Sequence, residues 1–136
     1  MQVTHGRVPG QPTQQRTATF TGVVYQDLVL DAPDVLINSV VFTPGARTYW
    51  HRHPGGQLLI VTTGRGLVAS RAGEVHLVGP GDVIWAEPGE EHWHGALGDS
   101  VLVVCATAVA QNAALLRADT LRAIPNIQGR TGNGAV

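Results

Sequence analysis

Short runs rich in β-branched residues succeed one another along the chain at even spacing, over 19–30, 35–42, 48–52, 57–63, 67–71, 75–78, 82–86, 92–96 and 101–107. Each run ends in a reversal signal such as Thr43-Pro44-Gly45, Pro54-Gly55-Gly56, Gly64-Arg65-Gly66, Gly79-Pro80-Gly81 or Pro88-Gly89-Glu90. Proline there fixes φ near the value a turn needs, and glycine supplies the positive φ that other residues resist. Runs this short, joined this tightly, pair as antiparallel neighbours and close into a small all-β sandwich or barrel. At 136 residues the chain is long enough for a single core and too short for two. One helix is expected, over 112–123, where Leu115, Leu116 and Leu121 form an apolar stripe before Pro125. Residues 1–16 read as a flexible arm that only a partner subunit or the barrel exterior would order, 17–127 as the barrel, and 128–136 as a flexible glycine-rich tail.

Charge removes several classes of function. Nine basic residues, all of them Arg, nearly cancel ten acidic ones for a net charge of -1, so neither nucleic acid nor an anionic membrane is an expected partner. The absence of Lys excludes Schiff-base chemistry, and the single Cys105 excludes an internal disulfide, a CxxC pair and a thiolate zinc cluster. Cys105 reads as a small buried side chain. Lacking an apolar leader or a run long enough to span a bilayer, the chain is expected to be soluble and cytoplasmic.

Four of the six histidines fall into two pairs, His51-Arg52-His53 and His92-Trp93-His94, each spaced by two on an expected strand. Side chains at i and i+2 share a strand face. If His51 and His53 point inward, the turn at Pro54-Gly55-Gly56 returns the chain with Gln57 beside them, and His92 approaches from a later strand. Three imidazoles and one amide oxygen then form a set of donors for a divalent transition ion, with positions left over for substrate.

The pairs also sit in a fixed pattern with glycines: G-x5-H-x-H-x3-Q-x6-G from Gly45 to Gly64, followed by Gly81-Asp82 and Pro88-Gly89-Glu90-Glu91-His92. This pattern resembles the two motifs of the cupin superfamily over roughly residues 35–107. The resemblance implies a single-domain double-stranded β-helix, a jelly-roll-like barrel, with a metal held by His51, His53, Gln57 and His92. The first motif of cupins usually carries Glu where this chain has Gln57. An amide leaves the charge of the ion uncompensated, which strengthens its Lewis acidity, favours anionic ligands and disfavours a high-valent oxidising iron.

The fuller strings around Trp50-His51 and His92-Trp93-His94 are similar to small cupins that include manganese-dependent bacterial hydroxynitrile lyases. That similarity implies His94 as the residue beside the reacting oxygen, suited by its ordinary pKa to proton exchange. The group usually carries a further histidine on the last core strand, where 101–107 has none. Manganese is the expected ion, with iron, zinc or nickel as alternatives, and a homodimer or higher homo-oligomer is expected by analogy with similar barrels. The leading expectation is a lyase or isomerase combining Lewis-acid activation with His94 as acid and base. The alternatives are a non-haem iron dioxygenase and a non-catalytic metabolite-binding barrel.

By strand parity, Tyr49 falls with His51 at the pocket mouth, while Leu59 and Val61 fall with Gln57 as an apolar wall. The preceding strand offers Asn38, Val40 and Phe42 on one face and Ile37, Ser39 and Val41 on the other, and parity does not choose between them. Trp50 and Trp93 are expected on the face opposite the histidines, packed between the sheets or against another copy. Arg47 and Arg52 read as surface ion-pairing residues, with substrate carboxylate binding as the alternative.

Overall fold

A computed structural model of the chain describes residues 1–109. The expected helix over 112–123 and the tail from 128 lie outside the described residues. Among the described residues eleven strands form two sheets: β1 Gln14–Arg16, β2 Phe20–Thr21, β3 Val24–Ala32, β4 Val35–Phe42, β5 Arg47–Thr48, β6 Gln57–Gly64, β7 Gly66–Ser70, β8 Val75–Val78, β9 Val83–Ala86, β10 His92–Ala96 and β11 Leu102–Val109. The six-stranded sheet runs β1-β3-β4-β11-β6-β9 and the five-stranded sheet β2-β5-β10-β7-β8, with antiparallel pairing throughout. The expected run 19–30 is split where Gly22 takes φ 78°, so the chain leaves one sheet and enters the other. Segment 48–52 is likewise no continuous strand. It leaves β5 after Thr48, and Tyr49 N donates to Thr19 O at 2.9 Å. Part of the N-terminal arm lies on the barrel: β1 pairs with β3, and Val8 N donates to Leu28 O at 2.8 Å.

Alternation along the strands sends one set of side chains between the sheets. The pairings Val24↔Phe42, Gln26↔Val40 and Val40↔Val104 place the even-numbered residues of β4 inward, which selects Asn38, Val40 and Phe42 as the inner wall. Val24, Phe42, Leu59, Val61, Leu102 and Val104 are almost completely buried and fill one end of the barrel. The other end is built from smaller and more polar residues and is hollow.

Trp50 and Trp93 do not pack between the sheets. Trp93 joins Leu67, Ala69, Trp50 and Leu97 in a separate cluster. Because Trp93 alternates with the inward His92 and His94, this cluster covers the outer face of the five-stranded sheet. The Arg47 guanidinium stands 4.5 Å over the Trp93 ring, and that of Arg71 stands 4.0 Å over Trp50. Arg52 and Arg71 both reach Glu91, at 3.4 and 3.0 Å. Neither Arg47 nor Arg52 lines the hollow end. Cys105 is only half-buried, because odd-numbered residues of β11 face outward beside Ser39 and Ile60.

Candidate metal centre

The hollow end of the barrel is ringed by histidines that reach it in two different ways. His92 and His94 come from β10, where regular strand geometry turns both inward. His51 and His53 come from irregular chain, so their convergence is set by hydrogen bonds and not by strand parity. His51 N donates to His92 O at 3.0 Å and His92 N returns a bond to His51 O at 2.9 Å, an isolated bridge that fixes the two residues opposite each other. His53 O accepts from Gly56 N at 3.2 Å and from Gly89 N at 2.9 Å, which pins it between the two turns.

The turn that carries His53 to Gln57 depends on Gly56, whose φ is 84° and whose missing Cβ would stand 2.8 Å from Ala86 O. Gly56→Ala is therefore expected to cost about 1–3 kcal/mol and to weaken metal binding as well, since donors flank the residue on both sides. Thermal midpoints with and without added manganese measure both effects, and an unchanged metal-dependent shift would count against the role assigned to the turn.

The imidazoles lie close together. Ring centroids are 4.4 Å apart for His51 and His92, 5.1 Å for His51 and His53, and 5.9 Å for His53 and His92. One ligand atom from each of these three falls within 4.8 Å of the others. His51 Nδ1 donates to Tyr49 O at 2.8 Å and His92 Nδ1 to Glu90 O at 3.0 Å. Each bond fixes a tautomer and leaves the lone pair on Nε2 free. His92 Nε2 then lies 2.9 Å from Gln57 Oε1. An imidazole nitrogen and an amide oxygen held this close, beside the ligand atoms of His51 and His53, make a set of donors that fits a divalent ion.

Burial is the largest cause of the electrostatics. It pushes all four imidazoles below the ordinary histidine pKa of 6.5, that of His53 to about 3; neighbouring imidazoles lower His51, His53 and His94 further, whereas the Glu90 carbonyl and carboxylate partly offset the effect at His92. They are neutral at pH 7, so a metal need displace no proton. Among the described residues that line the cavity there is no carboxylate.

His94 stands just outside the cluster. Its ring stacks on His92 at 5.8 Å and 20°, and lies edge-on to Phe42 at 5.5 Å and 81°. Its backbone N donates to Thr48 Oγ1 at 3.2 Å. Only 3% exposed, it has no hydrogen-bond partner among the described residues for either ring nitrogen. A buried imidazole left this way has room and valence for a ligand.

The cavity holds about 60 Å³ and is lined by His51, His53, Gln57 and His94 together with Thr19, Phe20, Gln26, Asn38, Val40, Thr48, Ala106 and Ala108. Of the wall residues expected from parity, Val40 is present. Leu59 and Val61 do face inward with Gln57, but they lie deeper along β6, each 1% exposed within the core. Tyr49 is displaced because β5 ends before it, and Thr48 takes the cavity position instead. Sequence reading missed Gln26 and Thr48, whose inward direction follows only from their pairing partners.

The fold and the centre together define a single-domain, jelly-roll-like β-barrel with a histidine-rich site able to hold a metal. Residues 38–108 match the cupin domain family, and the chain belongs to it. The chain is 54% identical over 80 residues to (R)-mandelonitrile lyase of Granulicella tundricola, a match covering 57% of this chain and 61% of that protein's length. A cupin-like protein of Thermotoga maritima superposes with a TM-score of 0.67 at 38% identity, covering 70% of this chain and 75% of that one. The polyketide cyclase RemF of Streptomyces resistomycificus shares the fold, with a TM-score of 0.69 at 18% identity over 82% of this chain and 81% of its own. Among the described residues no helix is long and apolar enough to cross a membrane.

Proposed function

We propose that the protein is a metal-dependent lyase acting on small hydroxylated molecules, most concretely a hydroxynitrile lyase that splits a cyanohydrin into a carbonyl compound and hydrogen cyanide. One observation carries the reading: a buried His94 with both ring nitrogens unpartnered opens onto the same carboxylate-free cavity as the converging donors. The similarity to the Granulicella lyase supports it.

His51, His53, Gln57 and His92 would hold the ion, manganese in the first instance and iron, zinc or nickel otherwise. When bound, the ion supplies Lewis acidity toward the substrate's oxygen. His94, kept neutral by burial, begins as the base. A ring nitrogen of His94 takes the hydroxyl proton, and the O–H electron pair becomes the second bond of the carbonyl. The carbon–nitrile bond breaks with its pair leaving on cyanide, and His94 returns the proton to give HCN. Phe42 and His92 hold the ring at its station while Thr48 anchors its backbone. β11 presents Ala106 and Ala108 to the cavity and no histidine, so one imidazole carries the proton in both directions.

Cyanide release from mandelonitrile by manganese-loaded protein tests the proposal. His94→Ala is expected to lower kcat by about 10²–10⁴-fold with manganese retained, whereas His51→Ala loses both metal and activity. No release by fully loaded protein overturns the proposal. Oxygen uptake with a diketone or phenol would establish a dioxygenase instead, and tight metabolite binding without turnover a binding protein.

A further inference from the structure

Opposite the histidines the cavity has a second polar end. Gln26 and Asn38 face inward from β3 and β4, and Gln26 Nε2 donates to Asn38 Oδ1 at 3.0 Å. They are not direct cross-strand partners. Leu28 stands opposite Asn38 and Val40 opposite Gln26, so the amides meet on the diagonal, within reach of long side chains. A single bond between two primary amides consumes one N–H and one lone pair. Whichever way either amide is turned, donor and acceptor capacity remains at the cavity wall, and no other side-chain partner meets it among the described residues.

The floor between the two ends has been kept clear. β11 runs between β4 and β6 and pairs Ala106 with Asn38 on one side and Ala108 with Gln57 on the other. Two alanines thus occupy the positions where larger residues would wall off the amides from the imidazoles. Deeper along the same strand, Val104 and Leu102 fill the corresponding space with core. Two inter-strand steps and a two-residue offset, roughly 12 Å between backbones, separate Gln57 from Asn38 across this floor, a span that the two inward side chains shorten to one suited to a molecule with a small ring between two polar groups. Among the described residues no charged side chain stands at the amide end, so the group it recognises is neutral and both donates and accepts.

We infer that Gln26 and Asn38 form a specificity subsite for a hydroxyl, or a comparable neutral hydrogen-bonding group, at the end of the substrate remote from its reacting oxygen. The inference rests on the proposed reading for the identity of the reacting end, although its binding can be measured without turnover. A subsite built to pair with a hydroxyl penalises the analogue that lacks it, because both amides are then desolvated without a partner.

The experiment compares matched pairs on manganese-loaded protein: mandelonitrile with its 4-hydroxy derivative for cyanide release, and benzaldehyde with 4-hydroxybenzaldehyde for binding by calorimetry. The native protein is expected to favour the hydroxylated member at least tenfold in both assays. Asn38→Leu is expected to abolish that preference, acting on KM more than on kcat. The Gln26→Leu/Asn38→Leu double variant leaves no orphaned amide and should behave alike at undiminished thermal stability, separating lost recognition from lost folding. Hydroxyl-dependent binding without cyanide release would sink the lyase reading and leave this subsite standing. Cyanide release with equal use of both substrates, or a preference that survives in the double variant, overturns the subsite, and so does binding of neither aldehyde.

Discussion

Metal-free protein brought from pH 7.5 to about pH 5 is expected to lose most of its stability, with the decline starting near pH 6.5. The unfolded chain binds protons at His51, His53, His92 and His94 near the ordinary pKa, whereas burial holds each of these imidazoles below it in the folded chain. Below pH 6.5 the unfolded state therefore carries more protons, and stability falls as the pH falls. His51, His53 and His94, held well below the window, each contribute roughly 1 kcal/mol per pH unit there, His92 contributes less, and His53 goes on contributing down toward its folded value of about 3. By pH 5 the four together remove several kcal/mol from a total of about 5–15 kcal/mol for a domain of ordinary stability. Their rings lie 4.4 to 5.9 Å from one another in five of the pairs, so each imidazolium formed inside the fold raises the cost of the next, and the folded state cannot escape by charging in place. A divalent ion that binds only the folded form should move the transition to lower pH in proportion to the logarithm of its concentration. Urea titrations of chelator-treated protein at half-unit pH intervals measure the effect. A flat midpoint between pH 7.5 and 5 would show that the imidazoles are not held neutral.

That the histidines meet was legible in the sequence; the reason they meet was only half legible. For His92 and His94 the i, i+2 rule applies, because β10 is regular through both. For His51 and His53 the same rule points to the same cavity through a strand that does not exist. Their placement comes from the His51–His92 bridge and from Gly89 bonding to His53 O, contacts over distances in sequence that no local pattern records, together with the local turn bond from Gly56 N to His53 O. Tyr49 shows the cost of the assumption, since its parity is meaningless once β5 ends at Thr48. Leu59 and Val61 show a different limit: alternation gives the face of a strand and not the depth, and depth separates the cavity wall from the core. The choice between the two faces of β4 needed pairing partners, as did the inward direction of Gln26. Turns and strand positions were easier to read, because proline and glycine act locally.

Gln57→Glu is expected to reverse several of these properties together. The new carboxylate would stand beside His92 Nε2, where Gln57 Oε1 now lies at 2.9 Å, in a cavity lined by no other among the described residues. A negative charge that close favours imidazolium, so the pKa of His92 moves upward and the metal-free variant should resist acid better than the native chain. The carboxylate also gives a divalent ion a charged donor in place of a neutral one, so manganese should be retained through chelator washes that strip the native protein. Catalysis should move the other way. Charge compensation weakens the site's hold on an anion and its ability to acidify the substrate hydroxyl, which leaves His94 with a less acidic proton to remove. Cyanide release is expected to fall by at least tenfold, about 1.4 kcal/mol or more in the barrier, while metal content rises. The opposed directions make the comparison decisive, because a variant that merely folded badly would lose metal and activity together. If Gln57→Glu bound manganese no more tightly and turned over as fast, the uncompensated charge could not be what the amide contributes to this centre.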